Sequence, residues 1–200
     1  MIDLWTRERE IAAESGCTLL CGVDEAGRGP LAGPVYAAAV MLPRDLELPG
    51  LNDSKKLSEK KREALFDLIC ASALSLGIAR AEVEEIESLN ILQATFLAMN
   101  RALEQLEPQP ELALIDGNRN SGIRLNSRCV IKGDACCAEI AAASILAKVS
   151  RDRYMLEMAE RYPEYHFEQH KGYGTRLHYE ALRQYGPSPI HRLSFLRKMH

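Results

Sequence analysis

Three short apolar runs in this chain end in the same way, on a carboxylate. Leu19, Leu20 and Val23 lead into Asp24-Glu25, Leu112–Ile115 leads into Asp116-Gly117, and Arg128–Lys132 leads into Gly133-Asp134. Short runs of this kind, bounded by turn residues, read as strands. If those strands are neighbours in one sheet, their carboxylates converge at one rim, which is where open α/β sheets tend to hold ligands. Like charges at close range disfavour joint ionisation, so four acids gathered there call for cations. Two Mg²⁺ or Mn²⁺ ions would meet that need, and such ions, about 3.5–4 Å apart, clamp the attacking and leaving oxygens of an in-line displacement. Taken singly, each acid also has a plain reading: Asp116-Gly117 as a turn, Asp134 as a helix N-cap, and Asp24-Glu25 as the polar lip of a strand. Those readings predict no relation among the three places.

The first carboxylate pair runs straight into Gly27-Arg28-Gly29-Pro30. Glycines let a ligand approach the backbone closely, and an arginine between them offers a phosphate a planar fork. Carboxylates for metal beside donors for phosphate point to a site for a phosphate-containing polymer.

The rest of the pattern alternates strands and helices. Thr6–Ser15 reads as a short helix, and Thr18–Asp24 and Pro34–Leu42 read as strands. Ser58 is placed to N-cap a helix reaching Ala73, and Leu74–Val83 is a further strand. Leu89, Leu92, Phe96, Met99, Leu103 and Leu106 keep 3-4 spacing, which predicts one helix with one apolar stripe, stopped by Pro108 and Pro110. An alanine-rich helix follows over about 135–161, closed by Pro163, and short helices and loops fill 165–200. About five strands with helices between them imply an α/β architecture, a mixed sheet covered on both faces. With no long linker, residues 1–200 are expected to form one domain, with about 163–200 as a helical extension packed on it.

Formal net charge is −3 and the sequence pI about 6.0, mildly against a nucleic-acid partner. The distribution answers this in part. Residues 80–111 carry a net of −5, whereas 119–153 and 165–200 each carry +4. Six cysteines, at 17, 21, 70, 129, 136 and 137, form no CxxC pair and read as buried, reduced thiols. His166 and His170, four apart, suit packing or a phosphate contact better than a metal. No apolar run approaches a membrane span and the N-terminus lacks the layout of a signal peptide, so a cytoplasmic protein with no membrane partner is expected.

The stretch from Asp24 to Val35 resembles the opening motif of ribonuclease H type 2, the bacterial ribonuclease HII. The resemblance continues through residues 51–58, Ile115–Asn118, Ile131–Asp134, Ala141–Asp152, His170–Thr175 and His191–Phe195, covering nearly the whole chain in order. It implies the ribonuclease H-like fold: a five-stranded mixed sheet flanked by helices, with a helical C-terminal part. It also implies an endoribonuclease that cleaves the RNA strand of RNA–DNA hybrids and the 5′ side of single ribonucleotides in duplex DNA, leaving 3′-hydroxyl and 5′-phosphate ends, as replication and ribonucleotide excision repair require. By motif match, Asp24, Glu25, Asp116 and Asp134 would bind the metals. Gly27, Arg28 and Gly29 would read the 2′-hydroxyl through their backbone, and Tyr173 would pack on the adjacent sugar and bond the same hydroxyl.

Lys55, Lys56, Lys148, Arg151, Lys171 and Arg192 are candidates for phosphate contacts, which position a duplex without reading it. The tail at 195–200 lacks the glutamine-plus-paired-aromatics motif of sliding-clamp partners, and nothing demands more than a monomer. Two other readings stay open at this point: a carboxylate-metal exonuclease of related fold, and a non-catalytic hybrid-binding module. The first usually separates its two leading acids by one residue; the second would not need an acidic set that repels phosphate.

Overall fold

The computed structural model describes residues 4–44, 46–52, 54 and 57–197. Lys55, Lys56 and the last three positions of the tail lie outside the described residues.

The chain opens with α1 (Trp5–Ser15), β1 (Leu20–Ala26) and β2 (Val35–Met41). Next come α2 (Glu59–Ser72), β3 (Ser75–Ala81), α3 (Val83–Leu89) and α4 (Ile91–Leu103). The strands β4 (Leu112–Asp116) and β5 (Ser127–Val130) precede the long helix α5 (Ala138–Arg161). Short helices α6 (Phe167–His170), α7 (Arg176–Tyr185) and α8 (Leu193–Leu196) end it.

The five strands form one mixed sheet in the order β3-β2-β1-β4-β5. β1 runs antiparallel to β2, with Asp24 opposite Ala38, and parallel to β4, with Val23 opposite Ile115. β4 pairs parallel with β5, so Asp116 lies beside Val130. The expected mixed sheet with helices on both faces is what forms.

Period-2 alternation decides which side chain meets which helix. In β2, Ala37 and Ala39 face the α4 layer with Phe96, Met99 and Leu103, while Ala38 and Val40 face α5 with Ile145, Leu146 and Val149. Every residue of β2 is buried, and its alanines let both helices come close. Gly22 marks the tightest approach of α5 to the sheet: a Cβ there would lie 2.1 Å from the Glu139 carbonyl carbon.

The single helix expected over 89–106 is two helices. Asn90, at φ +74°, breaks the chain, and its side chain accepts from the N–H groups of Leu92 and Gln93 to cap α4. With ψ at 162° this lies outside the left-handed helical well, in a region that mostly glycine occupies, so the strain there is held by the two capping bonds. Leu89 therefore ends α3 and is 41% exposed, while Leu106 is buried just beyond α4. The alanine-rich helix begins at Ala138, three residues later than expected, because a 3₁₀ turn occupies Gly133–Ala135.

The far half of α5 carries a separate cluster. Met155 and Met158 pack with Leu31 and Ala32 of the turn after β1, and with Tyr165, Phe167, Ala181 and Leu182 of the C-terminal segments. Among the described residues no helix is long and apolar enough to cross a membrane.

Candidate active site

The order β1-β4-β5 sets the ends of three strands side by side, with Asp24 and Asp116 on β1 and β4 and Asp134 four residues past the end of β5, in the 3₁₀ turn. Asp24 follows Val23 in β1, and Asp116 follows Val23's partner Ile115 in β4. Asp116 Oδ1 accepts from the N–H groups of Gly133 at 2.7 Å and Asp134 at 3.4 Å, which ties the end of β4 to the turn after β5. The residue that caps α5 is Cys137. Asp24 and Glu25 leave the end of β1 on opposite faces. Asp24 is on the α5 side, hydrogen-bonded to Ser144. Glu25 lines a groove of about 360 Å³ with Asp116, Arg28, Asn118 and Arg119, floored by Leu92, Phe96 and Met99 of α4.

Burial pushes the Asp24 carboxyl well above the usual carboxylate range, and the charges of Glu25 and then Asp116 push the same way. The N–H of Glu25, 2.7 Å from Asp24 Oδ1, and Ser144 oppose this. A divalent cation between these acids would restore the ionised form. Among the described residues no three carboxylate, imidazole or thiolate groups already form a closed ligand cage. The all-oxygen donor set fits Mg²⁺ or Mn²⁺.

The turn after β1 is held from beneath by two buried arginines. Arg192 gives Nη2 to the carbonyl of Gly27 (2.6 Å), Nη1 to those of Arg28 (3.0 Å) and Pro30 (2.9 Å), and Nε to that of Gly33 (2.8 Å). Arg151 gives Nη2 to Ala32 (3.0 Å), Nε to Pro34 (3.3 Å) and Nη1 to Lys171 (3.0 Å), again to carbonyls. Gly27 sits at φ +98°, and a Cβ on it would fall 2.1 Å from Arg151 Nε, so only glycine fits. The Arg28 side chain is half-exposed, with Nη1 3.3 Å from Glu25 Oε1. The ring of Tyr173, 44% exposed, flanks Gly29 and lies 5.9 Å from the Arg151 guanidinium.

Residues 21–198 match the family model described as Ribonuclease HII. The chain belongs to the ribonuclease HII family. It is 60% identical over 177 residues to the ribonuclease HII of Endomicrobium trichonymphae, covering 88% of this chain and 84% of that one. It is 52% identical over 184 residues to that of Caldicellulosiruptor bescii, covering 92% and 89%. The ribonuclease H2 structure from Pyrococcus horikoshii superposes with a TM-score of 0.75 at 27% identity, over 91% of this chain and 97% of that one. The chain is thus a ribonuclease H enzyme, of a divalent-metal-dependent family that cleaves the RNA strand of RNA–DNA hybrids, with the ribonuclease H-like fold.

Within this ribonuclease HII frame the expected phosphate-contacting cations divide. Arg151 and Arg192 are 1% and 0% exposed and spend their donors on backbone carbonyls, so the structure gives them another job. Lys148 Nζ bonds Asp152 Oδ1 at 2.7 Å, and burial lowers its pKa. Lys171 Nζ bonds the Glu168 carbonyl at 2.6 Å. His170 is buried, with Nε2 on the Tyr165 carbonyl, whereas His166 is half-buried. The described cysteines are free thiols, but only Cys21 and Cys137 are fully buried, and Cys70 is exposed.

Two polar residues near the carboxylates were not singled out from the sequence. Ser144 stands behind Asp24, and Ser54 Oγ lies 2.8 Å from Ser144 Oγ, docking the loop before α2 beneath the site. The available signal was a serine interrupting the alanine run 141–147, a polar position on a buried stripe.

Proposed function

We propose that this enzyme cuts on the 5′ side of a single ribonucleotide embedded in duplex DNA, as well as within longer hybrids, and leaves 3′-hydroxyl and 5′-phosphate ends. Asp24, Glu25, Asp116 and Asp134 would hold two divalent cations, Mg²⁺ or Mn²⁺. Bound there, such ions lower the pKa of a water and stabilise the departing 3′-oxygen. The observation that carries this reading is the placing of Asp24 and Asp116 on neighbouring strands, with the Asp134 turn tied to Asp116, next to a turn whose carbonyls are held by Arg192.

The chain's own groups supply the selection. The 2′-hydroxyl distinguishes RNA from DNA; backbone N–H groups of Gly27, Arg28 and Gly29 would meet it without a side chain in the minor groove. Tyr173 would offer its ring to the neighbouring sugar and its hydroxyl to the 2′-oxygen. We read residues 1–200 as one catalytic domain acting in the cytoplasm as a monomer on hybrids and ribonucleotide-containing DNA, in replication and ribonucleotide excision repair.

The test is a closed circular duplex carrying one ribonucleotide, incubated with Mg²⁺, Mn²⁺ or EDTA, with the nick mapped. Metal-dependent nicking 5′ to the ribonucleotide is expected. Nicking on its 3′ side, or nicking that persists in EDTA, would reject the proposal.

A further inference from the structure

The two buried arginines under the turn make an unusual arrangement. Among the described residues no carboxylate accepts a hydrogen bond from either guanidinium; seven hydrogen bonds go to main-chain carbonyls instead. Removing a cation from water costs several kcal/mol unless its donors are met. Burial, and then the neighbouring Arg151, push the Arg192 guanidinium down to about 9, so it is still a cation at neutral pH. So costly a group needs a reason, and the geometry offers one.

The carbonyls taken are those of Gly27, Arg28, Pro30, Ala32, Gly33 and Pro34, almost the whole turn. The N–H groups of Leu31 and Gly33 are also taken, by the carbonyls of Gly172 and Ile190 at 2.8 Å each. Among the described residues, the N–H groups of Arg28 and Gly29 have no protein acceptor. With the neighbouring carbonyls drawn inward, the peptide planes are fixed and these two N–H groups are left for a ligand. Backbone donors held in one orientation before binding avoid the ordering cost that a mobile loop would incur.

We propose that Arg192 is a positioning residue for ribonucleotide recognition: by clamping four carbonyls of the 27–33 turn it presents the Arg28 and Gly29 amides to the 2′-hydroxyl. Arg151 is the strut that joins this turn to the loop bearing Tyr173, through the carbonyls of Ala32 and Pro34 on one side and Lys171 on the other. The C-terminal segment that carries Arg192 is therefore part of the specificity apparatus. Its entry is fixed by the Arg192 N–H on the Leu31 carbonyl and by the bridge between Ala32 and His191. The inference rests on the proposed reading of the turn as the 2′-hydroxyl sensor.

The experiment measures binding in Ca²⁺, so that cleavage does not interfere. Dissociation constants are taken for a DNA duplex with one ribonucleotide and for the same duplex in DNA alone, using wild type, Arg192→Met and Arg192→Lys. Amide hydrogen exchange over residues 27–33 is followed in each. Arg192→Met is expected to reduce the ribonucleotide preference at least tenfold, to leave all-DNA binding within about twofold, and to speed exchange in the turn. Arg192→Lys, with three donors on a flexible stem, should recover part of both. A folded Arg192→Met that keeps the wild-type preference overturns the inference alone. If Arg192→Met does not fold, Arg192→Lys decides: wild-type preference and exchange overturn the inference, while intermediate values of both support it. A wild-type protein that binds the two duplexes alike overturns the reading of the turn itself, and with it the inference.

Discussion

At the scale of single residues, the site trades stability for chemistry. Asp24 is buried beside Glu25 and Asp116, and burial and those charges together raise its pKa. Asp24→Asn removes the buried charge and keeps the shape. Two outcomes are expected: metal-dependent cleavage falls by at least about 10²-fold, the scale seen when even outer-shell metal partners are lost. The melting temperature in EDTA stays level or rises, because an unfavourable charge is gone. Activity assays and a thermal scan on one preparation check both; a large drop in melting temperature would show that the carboxylate stabilises the fold instead. Ser144 invites a milder test. It bonds Asp24 and meets Ser54 at 2.8 Å, so Ser144→Ala leaves Asp24 less well oriented and strands Ser54 Oγ. A loss of about 10- to 100-fold in activity is expected, with about 1 kcal/mol of stability, readable by kinetics and denaturant titration.

At the scale of elements, close approach and capping set the geometry of the rim. Gly22 of β1 touches the backbone of α5 at Glu139 and Ile140, so Gly22→Ala must part strand and helix. About 2–3 kcal/mol of destabilisation is expected, together with lost activity, because the same strand carries Asp24 two residues on. Asn90→Ala removes the cap of α4 and leaves the strained positive φ of +74° without its compensating bonds; urea midpoints should report a loss of about 1–2 kcal/mol, with Asn90→Gly, which relieves that strain, restoring most of it. These elements also show what was legible beforehand. Strand ends were visible to within a few residues because Leu-, Val- and Ala-rich runs reach Asp-Glu, Asp-Gly and Gly-Asp; β4 does end at Asp116, whereas β1 runs on to Ala26 and β5 stops at Val130. The break at Asn90 was hidden because Leu89, Leu92 and Phe96 keep 3-4 spacing across it, and spacing does not reveal a backbone that turns left-handed for one residue. The arginine clamp was hidden for another reason. Arg192 meets Gly27 across 165 positions, and a buried arginine bonded to carbonyls has no local pattern; its sequence neighbours suggested a surface cation.

At the scale of the whole molecule, the C-terminal segments are joined to the loop bearing Tyr173 through three stacked or hydrogen-bonded histidines. Gly172 N–H donates to His170 Nδ1, so His170 Nε2–H faces the Tyr165 carbonyl. Ser188 N–H donates to His191 Nδ1, so His191 Nε2–H donates to His178 Nε2 at 2.9 Å, and His178 Nδ1–H donates to the Tyr173 carbonyl. The His170 and His178 rings stack 4.4 Å apart, with Phe167 edge-on to both. All three rings are neutral in this arrangement, and a proton on His178 Nε2 would set two N–H groups face to face. Burial is the main cause that lowers all three pKa values, to about 4 for His178 and His191. The ordinary histidine value is 6.5. Between these values the unfolded chain binds more protons than the native one, so the stability these rings contribute is full above pH 6.5 and is lost as pH falls toward 4. Each ring can contribute at most about 1.4 kcal/mol per pH unit. Asp24 and Glu139, whose carboxyls burial raises, act in the opposite sense over the same range, so the histidine part is read as the difference in pH slope between wild type and His178→Phe. His178→Phe loses the bond to Tyr173 and the acceptor for His191, so it should melt lower than wild type at pH 7 yet show a shallower decline between pH 7 and 5. Parallel slopes for the two proteins across that interval would mean that other groups carry the acid sensitivity.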